Sequence, residues 1–242
     1  MVIQKKAIEN PALIEKFEKL LYNLDIKHNN ISHYILAFIH RSVVNEKPEY
    51  APEHNERLEF LGDAVLELVV TNNLYRDYPK KTEGELTDIR SALVRGTNLS
   101  KIAKQLNFSE YLVLGKGEEM TGGRKNNYLL ANVVEAILGA IYIDLGLDEA
   151  TIFINKYIYP TINEILENNL TKDFKTTIQE YAQAEYEITP SYKVISESGL
   201  DHDKIFEIGI YLGQKIVGKG AGSSKKKAQE KAAEDGFNNI KK

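Results

Sequence analysis

The sequence predicts an all-α domain followed by a small α+β domain of order α-β-β-β-α. From residue 12 to about 168, apolar residues recur at three- and four-residue spacing, the period of amphipathic and buried helices. After the polar stretch ENNLTKD (167–173), the pattern becomes one helix, three alternating β-rich stretches and a final helix. With 242 residues, the chain can build one sizeable core or two small ones. The boundaries are a helical domain over 1–168, a linker over 169–172 and the α+β domain over 173–242.

The expected helices run in order through IEKFEKLLYNL, RLEFLGDAVLELVV, LTDIRSALVRGTNLSKIAKQL, LLANVVEAILGAIYI and ATIFINKYIYPTINEIL. Pro160 falls inside the last and should kink or split it. The polar, Gly-rich segment EEMTGGRKNN reads as a surface turn. In the second domain the helix FKTTIQEYAQAEY precedes the strands SYKVISES, KIFEIGIYL and QKIVGKGAG, and SKKKAQEKAAEDGFNNI closes the chain.

Composition narrows the function classes. There is no Cys, so disulfides, thiolate ligands and a cysteine nucleophile are excluded. The N-terminus lacks the apolar run of a secretory signal, and no later stretch is expected to span a membrane. A cytoplasmic location with no membrane contact is expected. Net charge is −4, divided into about −5 over residues 1–171 and about +1 over residues 172–242. A local basic patch can still meet phosphate on such a chain.

Glu135 and Asn132 lie one turn apart in LLANVVEAILGAIYI, a helix apolar almost all round and so expected to be buried. A buried carboxylate needs a partner. In HNERLEFLGDAVLELVV, Glu56, Glu59 and Asp63 share a stripe roughly 60° wide at about 100° per residue. Two such faces brought together give oxygen ligands for a hard cation such as Mg²⁺. Gly139 is expected to leave space above the Glu135 face for a ligand. Leu58, Leu61, Val65, Leu68 and Val69 form the apolar face of the acidic helix. Phe60 projects on its acidic side, which points to insertion into a second copy of the chain. No Ser–His–Asp arrangement is legible, and the five histidines, among them His40 and His54, read as structural.

These segments resemble the ribonuclease III family. HNERLEFLGDAVLELVV is similar to its signature. Ala37-Phe38-Ile39-His40-Arg41-Ser42 upstream, and EGELTDIRSALV, EYLVLGKGEEMTGGR and NVVEAILGAIYID downstream, follow in the family's order. The C-terminal segment resembles a double-stranded-RNA-binding domain. The resemblance implies a homodimeric endoribonuclease that cuts both strands of duplex RNA and leaves 5′-phosphates and short 3′ overhangs, with roles in rRNA and mRNA processing. It implies metal ligation by Glu59, Asp63, Asn132 and Glu135, with Asp63 and Glu135 catalytic and Glu56 and Glu83 as accessory acids near the same cleft. Mg²⁺ is the expected cofactor, Mn²⁺ its substitute, and no small-molecule cofactor is expected. Phe60 matches an aromatic that plugs a cavity in the partner subunit. The family usually has Asp where this chain has Asn132.

At the C-terminus, Ser223 or Ser224 is the expected N-cap of the last helix, with Lys225, Lys226 and Lys227 in its first turn. Three cations there oppose the helix dipole, which suits a site that receives phosphate. Gly218, Gly220 and Gly222 are expected to let the backbone turn closely at that site. By resemblance, Thr176, Gln179 and Glu180 face one RNA minor groove and the loop with Asp201 and His202 faces the next. Leu200 replaces the proline common in that loop. The rival reading is a non-catalytic duplex-RNA-binding protein of the same fold, marked by Asn132. A third is a metal phosphohydrolase acting on small nucleotides.

Overall fold

A computed structural model describes residues 10–51, 53–167, 174–199 and 204–240. The chain divides into two compact units, 1–171 and 172–242. The expected linker over 169–172 lies outside the described residues, as do Leu200, Asp201 and His202.

The first unit is helical. Its helices are α1 (Pro11–Leu24), α2 (Ile31–Ala37), α3 (Arg41–Glu46), α4 (Glu56–Asp77), α5 (Glu83–Val94), α6 (Gly96–Gln105), α7 (Lys116–Met120), α8 (Asn127–Leu145), α9 (Leu147–Phe153) and α10 (Ile162–Glu167). Helix α8 is the centre of the core: Val133, Val134, Ala136, Ile137, Leu138 and Ala140 are fully buried. By length and composition α8 is long and apolar enough to cross a membrane, contrary to the expectation that no stretch reaches that size. Most of it is instead covered by the rest of the unit. At one end of this core Phe17, Phe38, Phe108 and Tyr111 meet edge to face, with centroids 5.2–6.1 Å apart.

Helices α4 and α8 cross in backbone contact. A Cβ at Gly62 would sit on the carbonyl of Glu135 and 2.8 Å from the Gly139 nitrogen. A Cβ at Gly139 would sit on the carbonyl of Leu58. The space expected above Gly139 is therefore filled by α4, and this glycine makes a helix crossing rather than a ligand pocket. The crossing also selects the buried face of α4: Leu58, Gly62, Val65, Leu66, Val69, Val70, Asn73 and Leu74 are inside. Leu68, expected on that face, is 59% exposed, and Leu61 is only half-buried. Both lie on the flank of α4 turned away from Gly62.

Other departures are local. The stretch expected as one helix over 86–106 breaks at Arg95, whose ψ of 137° is extended, and α6 restarts there with Asn98 N donating to the Arg95 carbonyl. A Thr82–Glu85 capping box starts α5; backbone and side-chain hydrogen bonds from Thr82 hold the Glu85 carboxyl down at about 2. Around Pro160 the helix is divided, with a π turn over Ile154–Ile158 and a 3₁₀ turn over Tyr159–Thr161 separating α9 from α10. The expected surface turn over 118–127 includes the end of α7 and a 3₁₀ turn. Arg124 fastens it by donating to the carbonyls of Ser109 and Leu112 at 2.6 and 3.0 Å.

The second unit comprises α11 (Phe174–Tyr186), β1 (Ser191–Ser198), β2 (Ile205–Leu212), β3 (Lys215–Gly222) and α12 (Lys225–Ile240). The strands form an antiparallel sheet in the order β1-β2-β3. Gly213, at φ +63°, supplies the left-handed residue of the β2–β3 hairpin. Ile178, Ile208, Ile210, Ala228, Ala232 and Ala233 make the core. Gly218, Gly220 and Gly222 alternate along one face of β3, where Cβ atoms would collide with the α12 backbone at Gly236, Ala232 and Ala228. They bring a helix down onto the sheet and form no turn for phosphate, correcting that expectation.

Replacing Gly139 by Ala should force α4 and α8 apart. Overpacking of this kind costs about 1–3 kcal/mol, so thermal unfolding should shift down by roughly 2–4 °C for each kcal/mol. An unchanged melting temperature for Gly139→Ala would show that the crossing tolerates a methyl group.

Candidate active site and nucleic-acid interface

The Gly62–Gly139 contact carries the acids of α4 and α8 to one place. Glu59 and Asp63 flank Gly62 on α4, and Asn132 and Glu135 precede Gly139 on α8. The Asn132 amide hydrogen-bonds the Glu59 carboxylate. Burial, then the neighbouring Glu56, pushes the Glu59 carboxyl above its ordinary pKa, with a smaller contribution from Asp63. Half-buried Glu135 is pushed up to about 8, by burial first and then by the charges of Asp63 and Glu59. Among the described residues, no Lys, Arg or His forms an ion pair with Glu59, Asp63 or Glu135.

Three carboxylates without a compensating cation, beside an amide, are hard oxygen donors of the kind Mg²⁺ and Mn²⁺ take. Their chemistry and charge fit a divalent ion. Their side chains are not gathered around one point: among the described residues, no three His, Asp or Glu are arranged to hold an ion.

Glu59 and Asn132 open onto a cleft of about 630 Å³, lined also by His40, Arg41, Glu56, Glu118, Asn126 and Tyr128. Glu56 lies there 3.6 Å from the Arg41 guanidinium and 3.8 Å from His54 Nδ1. That His54 nitrogen is buried and has no hydrogen-bond partner. His40 caps α3: Ser42 N donates to its Nδ1, and burial lowers the imidazole pKa. It is structural, as expected, but it also faces the cleft. Glu83 is not brought to this cleft within one chain. It accepts from Thr87 Oγ1 at 3.2 Å and lines a separate pocket of about 410 Å³ with Thr71, Leu74, Tyr75, Leu86 and Arg90. Phe60 is 81% exposed.

In the second unit Thr176, Gln179 and Glu180 lie on the exposed side of α11. Ser224, one of the two expected caps, accepts from Lys227 N at 3.3 Å. Lys225, Lys226 and Lys227 are exposed at the start of α12. Lys225 sits 3.7 Å from Glu197 and over the Phe206 ring, and Lys227 reaches Ser223. His202 lies outside the described residues.

Residues 30–162 match a family model described as ribonuclease-III-like, and residues 174–240 match the double-stranded RNA binding motif. This chain belongs to the ribonuclease III family. It is 43% identical to ribonuclease 3 of Borreliella burgdorferi over 90% of this chain and 89% of that protein. It is 41% identical to ribonuclease 3 of Leptospira interrogans over 97% and 95%. The solved nuclease domain of ribonuclease III from Campylobacter jejuni is 37% identical, covering 60% of this chain and 99% of that one with a TM-score of 0.55. A ribonuclease III catalytic domain joined to a double-stranded-RNA-binding domain is the make-up of a double-strand-specific endoribonuclease.

Two groups of site residues escaped the sequence reading. Arg41, Glu118, Asn126 and Tyr128 line the cleft from loops and helix ends, where periodicity carries no signal. Gly62 could have been found, because a mid-helix glycine costs about 1 kcal/mol relative to Ala and so calls for a packing reason.

The raised Glu135 pKa has a sign. The folded state holds this proton up to pH about 8, whereas an unfolded Glu loses it near 4.3. Its contribution to stability is therefore lost as pH rises between those values. In chelator-containing buffer at pH 8, Glu135→Gln should melt roughly 2–4 °C above the unsubstituted protein, the shift for about 1 kcal/mol in a domain this size. The difference should vanish near pH 4. A pH-independent difference would mean that Glu135 is not desolvated among like charges.

Proposed function

We propose that the chain is a homodimeric, Mg²⁺-dependent endoribonuclease that hydrolyses phosphodiester bonds in duplex RNA. It leaves 5′-phosphates and short 3′ overhangs and acts in cytoplasmic rRNA and mRNA processing. The observation that carries this reading is the uncompensated acid cluster at the α4–α8 crossing, in a chain that also bears a double-stranded RNA binding motif. Glu59, Asp63 and Glu135 would hold the metal, with Asn132 offering its amide oxygen. Bound Mg²⁺, or Mn²⁺ in its place, would acidify the attacking water and stabilise the departing 3′ oxygen. The chain's own part is to hold these oxygens on two rigid helices and to present Glu56 at the cleft wall. Lys225, Lys226 and Lys227 would meet RNA phosphates, with Thr176, Gln179, Glu180 and His202 facing the minor grooves, since the deep groove of A-form RNA is closed to side chains.

Support for the dimer comes from one exposed stripe of α4. Phe60, Leu68 and Tyr75 are 81%, 59% and 77% exposed and lie within about 80° of one another. A two-fold contact pairs residue i with j and j with i. Antiparallel α4 helices crossing near Leu68 would set each Phe60 against the apolar pocket beside Leu74, Tyr75 and Leu86. That pairing would also bring Glu83 of one protomer towards Asp63 of the other, a place for the accessory acid that a single chain does not offer. The Campylobacter jejuni nuclease domain is itself described for flexibility in a region involved in dimer formation.

The deciding experiment is incubation with a long perfect RNA duplex across a Mg²⁺ series. Cleavage should require Mg²⁺ and disappear in Asp63→Ala and Glu135→Ala, while both variants keep binding RNA. Asn132→Asp should lower the Mg²⁺ concentration for half-maximal cleavage, because it restores a charge that draws the cation in. If the present chain cleaves at no Mg²⁺ concentration and Asn132→Asp restores activity, the binding-only reading holds instead.

For the dimer, burying one ring contributes roughly 1.5–3 kcal/mol, and a two-fold interface buries two. Phe60→Ala should therefore shift sedimentation towards monomer by at least tenfold in Kd. An unchanged dimer would place the ring outside the interface.

A further inference from the structure

The cleft at Glu59 and Asn132 has to accept a polyanion, yet its charged wall is mostly negative. Glu56, Glu59 and Glu118 line it. Among the described residues that line it, Arg41 is the one Lys or Arg side chain. We propose that Arg41 is a phosphate-binding residue of the cleft, gripping the non-bridging oxygens of an RNA phosphate beside Glu56. The proposal rests on reading this cleft as the place where RNA enters.

The backbone under Arg41 is fastened on both sides. His40 N donates to the Val113 carbonyl at 3.1 Å, and Val113 N donates to the Phe38 carbonyl at 3.0 Å. Ser42 Oγ accepts from Gly115 N at 2.8 Å and lies 2.9 Å from His40 Nδ1. Glu46 accepts from the nitrogens of Lys116 and Gly117 at 2.7 and 3.0 Å, tying the far end of α3 to the same loop. The Cα of Arg41 is thus set at the cleft rim by contacts that do not involve its side chain.

The tip of Arg41 is loosely held. Its guanidinium is 3.6 Å from Glu56, with both side chains about half exposed or more. That separation is longer than the roughly 2.7–2.9 Å of a charge-assisted hydrogen bond, and exposed pairs of this kind contribute little. A phosphate offers two oxygens to the guanidinium fork, a better match than a distant carboxylate. Arg41 therefore has a fixed base, a free fork and a weak resting partner. When RNA arrives, the guanidinium leaves Glu56 for the phosphate.

The test is duplex-RNA binding by the full chain as a function of salt, in buffer without divalent metal so that no strand is cut. Each phosphate contact contributes about one to the slope of log affinity against log salt. Arg41→Gln should reduce that slope by about one and weaken binding by roughly fivefold at low salt, while Arg41→Lys keeps the slope. The Arg41 side chain is 66% exposed, so both variants should melt with the unsubstituted protein. An unchanged slope and affinity in Arg41→Gln would overturn the proposal and leave phosphate contact to the second unit. Failure of the enzyme reading shows separately, as absent Mg²⁺-dependent cleavage by the unsubstituted chain, and leaves the salt slope readable. In an active enzyme, Arg41→Lys should also raise KM several-fold with little change in kcat, because an ammonium keeps the charge and loses the fork.

Discussion

Two glycines on different helices set the distance between the acidic faces of this protein. With Gly62 on α4 and Gly139 on α8, backbone meets backbone, and Asn132 on one helix hydrogen-bonds Glu59 on the other. A Cβ at either position would separate the helices and with them Glu59, Asp63, Asn132 and Glu135. The crossing also fixes which arc of α4 is buried, and so which residues remain outside. Phe60, Leu68 and Tyr75 are exposed because the buried arc is centred on Gly62.

Close approach has an electrostatic consequence. With α8 against α4, burial and then the charges of Asp63 and Glu59 raise the pKa of Glu135, while burial and the neighbouring Glu56 raise that of Glu59. A hydrophobic helix that keeps Glu135 in its middle thus carries an acid with no ion-pair partner among the described residues, and that acid keeps its proton up to about pH 8. Asn132 softens this arrangement: its amide hydrogen-bonds Glu59 where an Asp would add a further like charge.

The second unit uses the same device at a different scale. Along β3, glycines at every second position meet Ala228, Ala232 and Gly236, spaced four apart on α12, so the small-residue faces of a strand and a helix interlock. This positions α12 so that its first turn is capped by Ser224 and holds Lys225, Lys226 and Lys227 exposed, with Lys225 over the Phe206 ring of β2 and beside Glu197 of β1. The glycines build the scaffold, and the lysines are its exposed product.

Much of this was legible in the sequence because it depends on period and local chemistry. The helix pattern, the three strands within one residue of their ends, the division at Pro160 and the N-cap of α12 follow from residues near one another in the chain. The spacing of Glu59, Asp63 and Glu135 on two helices is legible too, and the structure brings these acids near one another, whereas Glu83, expected beside them, lines a separate pocket. The roles of Gly62, Gly139 and the β3 glycines were not, because a glycine's purpose is set by the atom opposite it, which belongs to a distant segment. Leu68 reads as core by its type and is exposed by the choice of crossing face. Arg41 stands at the cleft only because residues 38–42 are tied to residues 113–117, a pairing that no local pattern encodes. Sequence alone determined which elements form and which charges they carry; tertiary structure decided which faces meet, because that depends on close packing between residues far apart in the chain.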